Sequence, residues 1–304
     1  MQSSATASVA STGTGSRRRV QRSGRRGIAR SVAARPARPR SSPAVAYGIR
    51  RGMGGKLADF LRIGHRGASG ECPENTIVSF RRALEQGAQM IECDLQLTAD
   101  GHVVVIHDWT AERTTNGSGS VRDLPLEVLR GFDAGSWRGE RFAGELIPTL
   151  EETLEAVLPS AGLNLELKCR GSDEDSRRLA LAAVDAVTRH DALDRVLFSS
   201  FDPITLEALR DVSAEARIGV LWSYAPFDGA FALAEKLGAA SLNARAAAVD
   251  VGLVEAARER GLPVYVWTVN ALEDMLELRR AGVEGFFSDY PGRMLEARAR
   301  LLAS

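Results

Sequence analysis

The sequence has few cysteines and no long apolar run. Its 304 residues include three cysteines, Cys72, Cys93 and Cys169, which follow neither a CxxC pattern nor the spacing of a zinc site. So low and odd a count argues against a disulfide framework and is typical of a reducing compartment, and we therefore expect a cytoplasmic protein. Because no run of about 18 apolar residues occurs, the sequence predicts no transmembrane segment.

Acidic residues are absent from residues 1–56, which contain 13 Lys and Arg residues. Since the whole chain has 39 basic and 39 acidic residues, residues 57–304 contain 26 basic and 39 acidic ones, a net charge of −13. The first 56 residues are also rich in Ser, Ala and Gly and have almost no apolar periodicity. Such a segment cannot bury enough surface to offset the entropy of ordering, so we predict that it is disordered.

Three interpretations of this basic segment stay open. An Arg- and Ser-rich segment without acids resembles an organelle transit peptide, and its charge also suits binding to a polyanion. The third interpretation is a start assigned too early, with Met53 as the first residue. We favour it because the sequence after Met53 leads directly into the first predicted strand. The arginine runs at 17–19 and 25–26 superficially suggest a twin-arginine export signal, but no apolar stretch follows them.

From about residue 60 to residue 300, short apolar runs alternate with helix-length amphipathic segments. Eight strands that alternate with helices over roughly 240 residues predict an α/β fold, the (β/α)8 TIM barrel. An open doubly wound sheet is the alternative, but no GxGxxG or P-loop sequence follows any strand. The predicted barrel strands are Leu61–Gly64, Met90–Leu95, Leu163–Lys168, Arg195–Ser199, Arg217–Trp222, Ala240–Asn243, Pro263–Thr268 and Gly285–Ser288.

A hairpin and an insertion interrupt this alternation after the second strand. Val103–His107 is predicted as an extra strand, joined to the second strand through Asp100-Gly101, a hairpin signal. Residues 109–148 are then polar and Gly-rich up to a helix predicted for Leu150–Leu158. An insertion of this length within a compact domain is usually functional.

Two strands carry charged residues at alternate positions. Glu92 and Asp94 are two residues apart, as are Glu166 and Lys168, so each pair projects from one face of its strand. The neighbours of the acidic pair on the second strand are apolar and would pack on the helices, which turns the acids into the barrel. Clustered carboxylates there would repel one another unless a cation bound them. An all-oxygen site favours Mg²⁺ or Ca²⁺ over zinc.

Catalytic groups of such barrels come from the C-terminal ends of the strands. His65 and Arg66 follow the first strand, and His107 ends the extra strand. Arg66 and Lys168 would place positive charge beside the metal, which suits a phosphate. Two histidines can exchange protons with a nucleophile and a leaving oxygen, so these parts predict phosphodiester cleavage. Trp267, at the end of the seventh strand, is predicted to contact the substrate.

These residues lie within motifs that resemble the glycerophosphodiester phosphodiesterase family. The resemblance extends from about Ile63 to Pro291. The motifs are His65-Arg66-Gly67, Pro73-Glu74-Asn75-Thr76, Glu92-Cys93-Asp94, His107-Asp108, Arg113-Thr114-Thr115-Asn116-Gly117, Glu166-Leu167-Lys168, Ser200-Phe201 and Trp267-Thr268-Val269-Asn270.

The resemblance implies a barrel with a short insertion after the second catalytic histidine. It also implies hydrolysis of a small-molecule glycerophosphodiester to sn-glycerol 3-phosphate and an alcohol, with no nucleic acid as partner of the barrel. The residue roles that it implies are Glu92, Asp94 and Glu166 as metal ligands, His65 and His107 as the acid–base pair, Arg66 and Lys168 as phosphate-facing cations, and Glu74 and Asn75 as supports of the site.

Several alternatives stay open at this level. Water attacks the phosphorus directly, or the neighbouring glycerol hydroxyl attacks first and yields a cyclic phosphate. A phospholipase D-like activity on lysolipids is a second enzymatic hypothesis. A catalytically silent binding barrel is a third, but it would be expected to lack a ligand or a histidine, and none is missing. Residues 241–249 carry no family signature, which leaves the preferred alcohol open, and the short insertion predicts an open pocket that accepts larger alcohol groups. The sequence carries no signal for the oligomeric state.

Overall fold

The structure is a computed structural model that describes residues 59–169 and 172–303. The predicted disorder of residues 1–56 and the alternative start at Met53 lie outside the described residues. No helix in the described ranges is both long enough and apolar enough to cross a membrane.

Eight parallel strands close into a barrel, and a ninth strand lies beside it. The strands are β1 (Leu61–Gly64), β2 (Met90–Leu97), β3 (Val103–Val105), β4 (Gly162–Leu167), β5 (Val196–Ser200), β6 (Arg217–Trp222), β7 (Ser241–Arg245), β8 (Val264–Trp267) and β9 (Gly285–Ser288). The barrel order is β1, β2, β4, β5, β6, β7, β8, β9, and β9 pairs with β1 to close it. The predicted (β/α)8 barrel is confirmed, and the open doubly wound sheet is wrong.

Helices follow the barrel strands and cover them, apart from the short helix Leu126–Arg130, which lies in the insertion after β3. They are α1 (Ile77–Glu85), α2 (Leu126–Arg130), α3 (Leu150–Val157), α4 (Asp173–Arg189), α5 (Pro203–Val212), α6 (Asp228–Leu237), α7 (Val251–Glu259), α8 (Leu272–Arg280) and α9 (Pro291–Ala303). Helix α3 begins with a capping box, in which Thr149 Oγ1 accepts from Glu152 N and the Glu152 carboxylate accepts from Thr149 N. These bonds satisfy amide groups that the first turn of a helix leaves unpaired.

Side chains of the barrel strands point alternately outward and inward, and they form two separate apolar cores. Ile91, Cys93 and Leu95 of β2 belong to the large apolar core between strands and helices. Met90, on the opposite face of β2, belongs to a smaller cluster inside the barrel with Ile63, Leu197, Tyr265 and Phe287. Glu92 and Asp94 share the face of Met90 and lie further along the strand, toward the C-terminal end of the barrel. The apolar cluster therefore closes the barrel below the acidic residues.

The segment after β2 forms its own small layer. Strand β3 pairs antiparallel with β2 through a turn at Gly101, whose φ is +84°. It ends at Val105, two residues earlier than predicted, because the chain turns away at Ile106–Asp108 to bond with a side chain of β2, as described below. Residues 109–148 follow, with α2 among them. The apolar core of this layer combines residues of β3 and of the turn after it with residues of the insertion: Val104, Ile106, Val121, Leu129, Ala134 and Ile147.

Candidate active site

A cleft with a cavity volume of about 140 Å³ opens at the C-terminal end of the barrel. The cleft is lined by His65, Arg66, Glu92, His107, Asn164, Glu166, Phe201, Leu221, Trp267, Thr268 and Phe287. Six of these are residues to which the sequence assigned a role. Asp94 contacts Arg66, and Lys168 contacts Glu166. Glu74 bonds to Arg66, and Asn75 bonds to Asp94.

Three carboxylates converge on the side of the cleft formed by β2 and β4. Asp94 is the Cα partner of Glu166 in the register of these strands, and Glu92 precedes Asp94 on the same face. One oxygen from each residue lies within 4.8 Å of the other two. Oxygens that share one Ca²⁺ at about 2.3–2.6 Å can be as far apart as about 5 Å. The three residues can therefore hold a divalent cation.

The polar environment of Asp94 also suits a cation. The carboxylate is buried, and its Oδ1 accepts no hydrogen bond from any described residue. Its Oδ2 accepts from Asn75 Nδ2 at 2.8 Å and lies 3.3 Å from Arg66 Nε. The Lys168 ammonium lies 3.5 Å from Asp94 Oδ1 and 3.4 Å from Glu166 Oε1. A buried, unsatisfied carboxylate oxygen within an all-oxygen set fits a hard metal ion.

The three carboxylates cannot all ionise without a counter-charge. Burial and the charges of Asp94 and Glu166 raise the pKa of Glu92 well above its usual 4.5. Burial and Asp94 likewise raise the pKa of Glu166 to about 7, although Lys168 and Arg66 oppose them. Burial would also raise the pKa of Asp94, but Arg66 and Lys168 outweigh it and lower that pKa to about 2. In the metal-free protein Asp94 is thus the anion, and its two neighbours retain their protons most readily.

His65 and Asp289 form a hydrogen-bonded pair at the end of β1. His65 Nδ1 lies 2.7 Å from Asp289 Oδ1, and a carboxylate can only accept, so Nδ1 carries the proton and Nε2 is left free. Asp289 also accepts from Ser69 Oγ and from Asn270 Nδ2. Burial would raise the pKa of Asp289, but the bonds from His65, Asn270 and Ser69 lower it to about 2. Asp289 therefore stays ionised and holds the His65 ring in one tautomer.

His107 has an equivalent arrangement with Asp108. His107 Nδ1 donates to Asp108 Oδ1 at 2.6 Å, which again leaves Nε2 free. Arg113, from the insertion, donates through Nε to Asp108 Oδ2 at 2.6 Å and through both terminal nitrogens to Glu74 at 2.8 Å. The Arg113 bonds hold the pKa of Asp108 well below its usual value. Burial lowers the pKa of His107, so its neutral form is favoured.

Arg66 connects these groups. Its backbone amide donates to Glu92 Oε2 at 2.8 Å, and Nη1 donates to Glu74 Oε1 at 2.8 Å. The residue has φ +53° and Asn75 has φ +57°, a region that non-glycine residues occupy rarely and that recurs at active sites. Arg66 borders the cleft, as expected of a phosphate ligand, but its guanidinium is already paired with carboxylates.

Trp267 forms the wall of the cleft opposite the carboxylates. Its indole Nε1 donates to Asn243 O at 3.0 Å, which fixes the ring at the end of β8. Phe201, which follows β5, packs edge-on against this ring with centroids 5.4 Å apart. The two aromatic rings give this side of the cleft an apolar surface.

Gln96 was missed by the sequence reasoning. It lies on the same face of β2 as Glu92 and Asp94 and is buried. Its Nε2 donates to the carbonyl oxygens of Ile106, His107 and Asp108 at 2.8–3.2 Å. Its position two residues after Asp94 was a signal, but the bonds depend on how the chain turns after β3. Asp289 and Arg113 were likewise visible in the sequence without an assigned partner.

Comparison with known proteins places this geometry in one family. Residues 65–293 match the glycerophosphoryl diester phosphodiesterase family. A glycerophosphodiester phosphodiesterase of Caldanaerobacter subterraneus subsp. tengcongensis is 39% identical over 241 residues, which cover 77% of this chain and 96% of that protein. The enzyme of the same name from Bacillus subtilis is 32% identical and covers 76% of this chain and 84% of its own length.

Solved structures agree with this assignment. A phosphodiesterase from Oleispira antarctica, in complex with the product sn-glycerol-3-phosphate, superposes with a TM-score of 0.74 at 35% identity and covers 79% of this chain and 96% of its own. A glycerophosphodiester phosphodiesterase from Agrobacterium tumefaciens superposes with a TM-score of 0.68 at 29% identity, over 78% of this chain and 99% of that one. This chain belongs to the glycerophosphoryl diester phosphodiesterase family and is a phosphoric diester hydrolase.

Proposed function

We propose that the protein hydrolyses small glycerophosphodiesters to sn-glycerol 3-phosphate and an alcohol, with Mg²⁺ or Ca²⁺ bound by Glu92, Asp94 and Glu166. The observation that carries this proposal is the cleft itself, which is bordered by two carboxylate-bound histidines and by the acidic cluster. The product bound to the Oleispira antarctica phosphodiesterase supports the choice of substrate class.

Proton transfer is assigned to His65 and His107. Each ring donates from Nδ1 to an aspartate, so the Nε2 atom is the one available to exchange a proton. One neutral imidazole takes a proton from the attacking group, and the other, protonated, donates to the oxygen of the leaving alcohol. The attacking group is water, which gives sn-glycerol 3-phosphate directly, or the neighbouring glycerol hydroxyl, which gives a cyclic phosphate that water then opens. The aspartates orient both rings and stabilise the imidazolium form while it carries the proton.

We assign the cations of the site to the stabilisation of negative charge on the phosphoryl oxygens of the substrate. A bound dication would polarise the phosphoryl group and neutralise the charge that develops on it. Arg66 and Lys168 lie on the same side of the cleft and add fixed positive charge there, where water is partly excluded. Trp267 and Phe201 limit the position of the rest of the substrate.

A product assay tests the function. The purified protein is incubated with glycerophosphocholine, glycerophosphoethanolamine and a lysophosphatidylcholine, each with Mg²⁺ and with Ca²⁺. We expect sn-glycerol 3-phosphate, measured with glycerol-3-phosphate dehydrogenase, from the two glycerophosphodiesters. Release of choline from the lysolipid alone, without turnover of the glycerophosphodiesters, would instead establish the phospholipase D-like activity.

Gln96 offers a test of how His107 is held in place. Gln96→Glu keeps the side-chain shape but replaces the amide donor with an acceptor that faces three carbonyl groups. Because the loop then loses its attachment, we expect kcat to fall about 10- to 100-fold, as a displacement of about 1 Å can produce. The buried carbonyls left without a donor should also cost about 1–3 kcal/mol of stability.

Gln89→Leu is the matched control for this variant. Gln89 also bonds to the backbone, through Oε1 to Arg62 N, but at the opposite end of β2. We expect that variant to change the melting temperature without changing kcat. Unchanged kcat in Gln96→Glu, with a lowered melting temperature, would mean that Gln96 supports the fold and does not position His107.

A further inference from the structure

The end of β7 carries a cation at the mouth of the cleft. Arg245 is the last residue of β7 and shares its face with Ser241 and Asn243, which are buried inside the barrel. It is the Cα partner of Trp267, the residue that forms the wall of the cleft. Because parallel neighbours in register project in the same direction, the exposed Arg245 side chain projects from the same face of the sheet as Trp267, at the C-terminal end of the strands.

An aromatic residue supports this arginine. Tyr224 follows β6, the strand next to β7, and is 69% exposed. Arg245 Nη1 donates to the Tyr224 hydroxyl at 3.3 Å, and the guanidinium carbon lies 5.6 Å from the centroid of the ring. The two side chains form an outer rim, which we call the Arg245–Tyr224 rim, on the side of the mouth opposite the acidic cluster.

Arg245 differs from the other cations near the cleft in its partners. Arg66, Arg113 and Lys168 are each bound to two carboxylates. Within residues 59–169 and 172–303, Arg245 makes no ion pair, and its polar partner is a neutral hydroxyl. The surrounding chain is acidic, since residues 57–304 have a net charge of −13. An unneutralised guanidinium at the mouth of an acidic barrel is available to an anion.

The two ends of a glycerophosphodiester differ in what they require from the protein. Glycerol is a small polyol, and its hydroxyls suit the inner part of the cleft, where carboxylates and the Asn164 amide provide polar partners. Asn164 Oδ1 is buried and has no hydrogen-bond partner among the described residues. With glycerol in this inner part, the alcohol, which varies between substrates, would extend past Phe201 and Trp267 toward the Arg245–Tyr224 rim.

We propose that the Arg245–Tyr224 rim is the subsite for the alcohol group, and that it selects glycerophosphodiesters whose alcohol carries its own negative charge. This inference rests on the proposed function, because it concerns the leaving group of that reaction. Arg245 pairs with the added anion, and Tyr224 holds the guanidinium toward the cleft. A cationic alcohol such as choline meets repulsion at the same place.

Glycerophosphoserine and glycerophosphoethanolamine test the inference, because their alcohols differ by a single carboxylate. We expect the wild-type protein to have a kcat/KM about two- to fivefold higher for the serine compound, the factor that an exposed ion pair provides. Arg245→Gln should abolish this preference, Arg245→Lys should retain most of it, and salt at about 0.5 M should weaken it in the wild type.

Arg260→Gln is the matched control. Arg260 is also an exposed arginine that stacks on an aromatic ring, with its guanidinium carbon 4.6 Å from the centroid of Phe231, but it lies after α7, at the closed end of the barrel. That variant should keep the wild-type preference. Turnover of both compounds at the same kcat/KM, or an equal effect of Arg245→Gln on both, would overturn the subsite. Absence of hydrolysis of either compound would overturn the proposed function and the subsite together.

Discussion

Replacing either His65 or His107 with alanine is expected to lower kcat about 10²- to 10⁴-fold, the usual contribution of a positioned acid or base. Each ring is held by an aspartate through Nδ1, so the proton is exchanged at Nε2, and alanine removes that atom. The double variant should lose little more than the worse single variant, because the base and the acid act together as one catalytic unit. Steady-state turnover of glycerophosphoethanolamine measures the effect.

The other two histidines are controls for this result. His102 is exposed in the hairpin turn, and His190 Nδ1 donates to Ala186 O of the helix that precedes it. Alanine at either position should leave kcat unchanged. Wild-type kcat in His65→Ala or His107→Ala, with the protein folded by circular dichroism, would remove that histidine from the mechanism.

Withdrawal of metal is the second large effect that we expect. A chelator should lower activity about 10³-fold or more, since a dication contributes several kcal/mol to the stabilisation of a phosphoryl transition state. Mg²⁺ or Ca²⁺ should restore the activity. Binding should also raise the melting temperature, because an ion that binds only the folded state stabilises it. Glu166→Gln should remove both the reactivation and the rise in melting temperature.

The dependence of this metal effect on pH follows from the buried acids. Glu166 has its pKa raised from 4.5 to about 7 in the metal-free protein, mainly by burial. Between these two values the folded state binds more protons than the unfolded state, so metal-free stability falls as the pH rises. A metal bound by Glu166 would displace the proton and remove this cost. The rise in melting temperature on adding metal should therefore grow from about pH 5 to about pH 8.

Glu166→Gln also serves as the control for the pH effect. The variant carries no charge at this position, so the melting temperature of the metal-free protein should depend less on pH than that of the wild type. Arg66 and Lys168 lower the pKa of Asp94 to about 2 in the wild type, and both cations are retained in the variant. A metal-induced shift of the same size at about pH 5 and about pH 8 would contradict the assignment of Glu166 as a ligand that must lose a proton.

The local sequence pattern was sufficient to predict much of the fold. Strands β1, β6 and β9 have the predicted bounds, because each is a short apolar run between clear helix and turn signals. The inward direction of Glu92 and Asp94 followed from the apolar residues next to them, Ile91, Cys93 and Leu95. The end of β3 was predicted too late, because Gln96, which redirects the chain, acts through bonds to residues 10–12 positions away.

The local sequence pattern could not predict which side chains bond to the site residues. His65 and Asp289 are 224 residues apart in sequence and bond only because β9 closes the barrel against β1. Glu74 and Arg113 are 39 residues apart and meet because the insertion folds back over the loop after β1. Arg245 had no sequence signature, and its exposed guanidinium gained significance only from its place beside Trp267.

The sequence by itself determined the number and order of the strands, the face of each strand that carries charge, and the residue types available for metal and proton chemistry. These are properties of neighbouring residues, because side-chain direction repeats every two residues along a strand. The tertiary structure decided which aspartate orients which histidine, which cations are already neutralised, and which arginine remains available at the mouth. Those pairings depend on barrel closure and on the path of the loops, which bring together side chains whose separation in sequence carries no signal of contact.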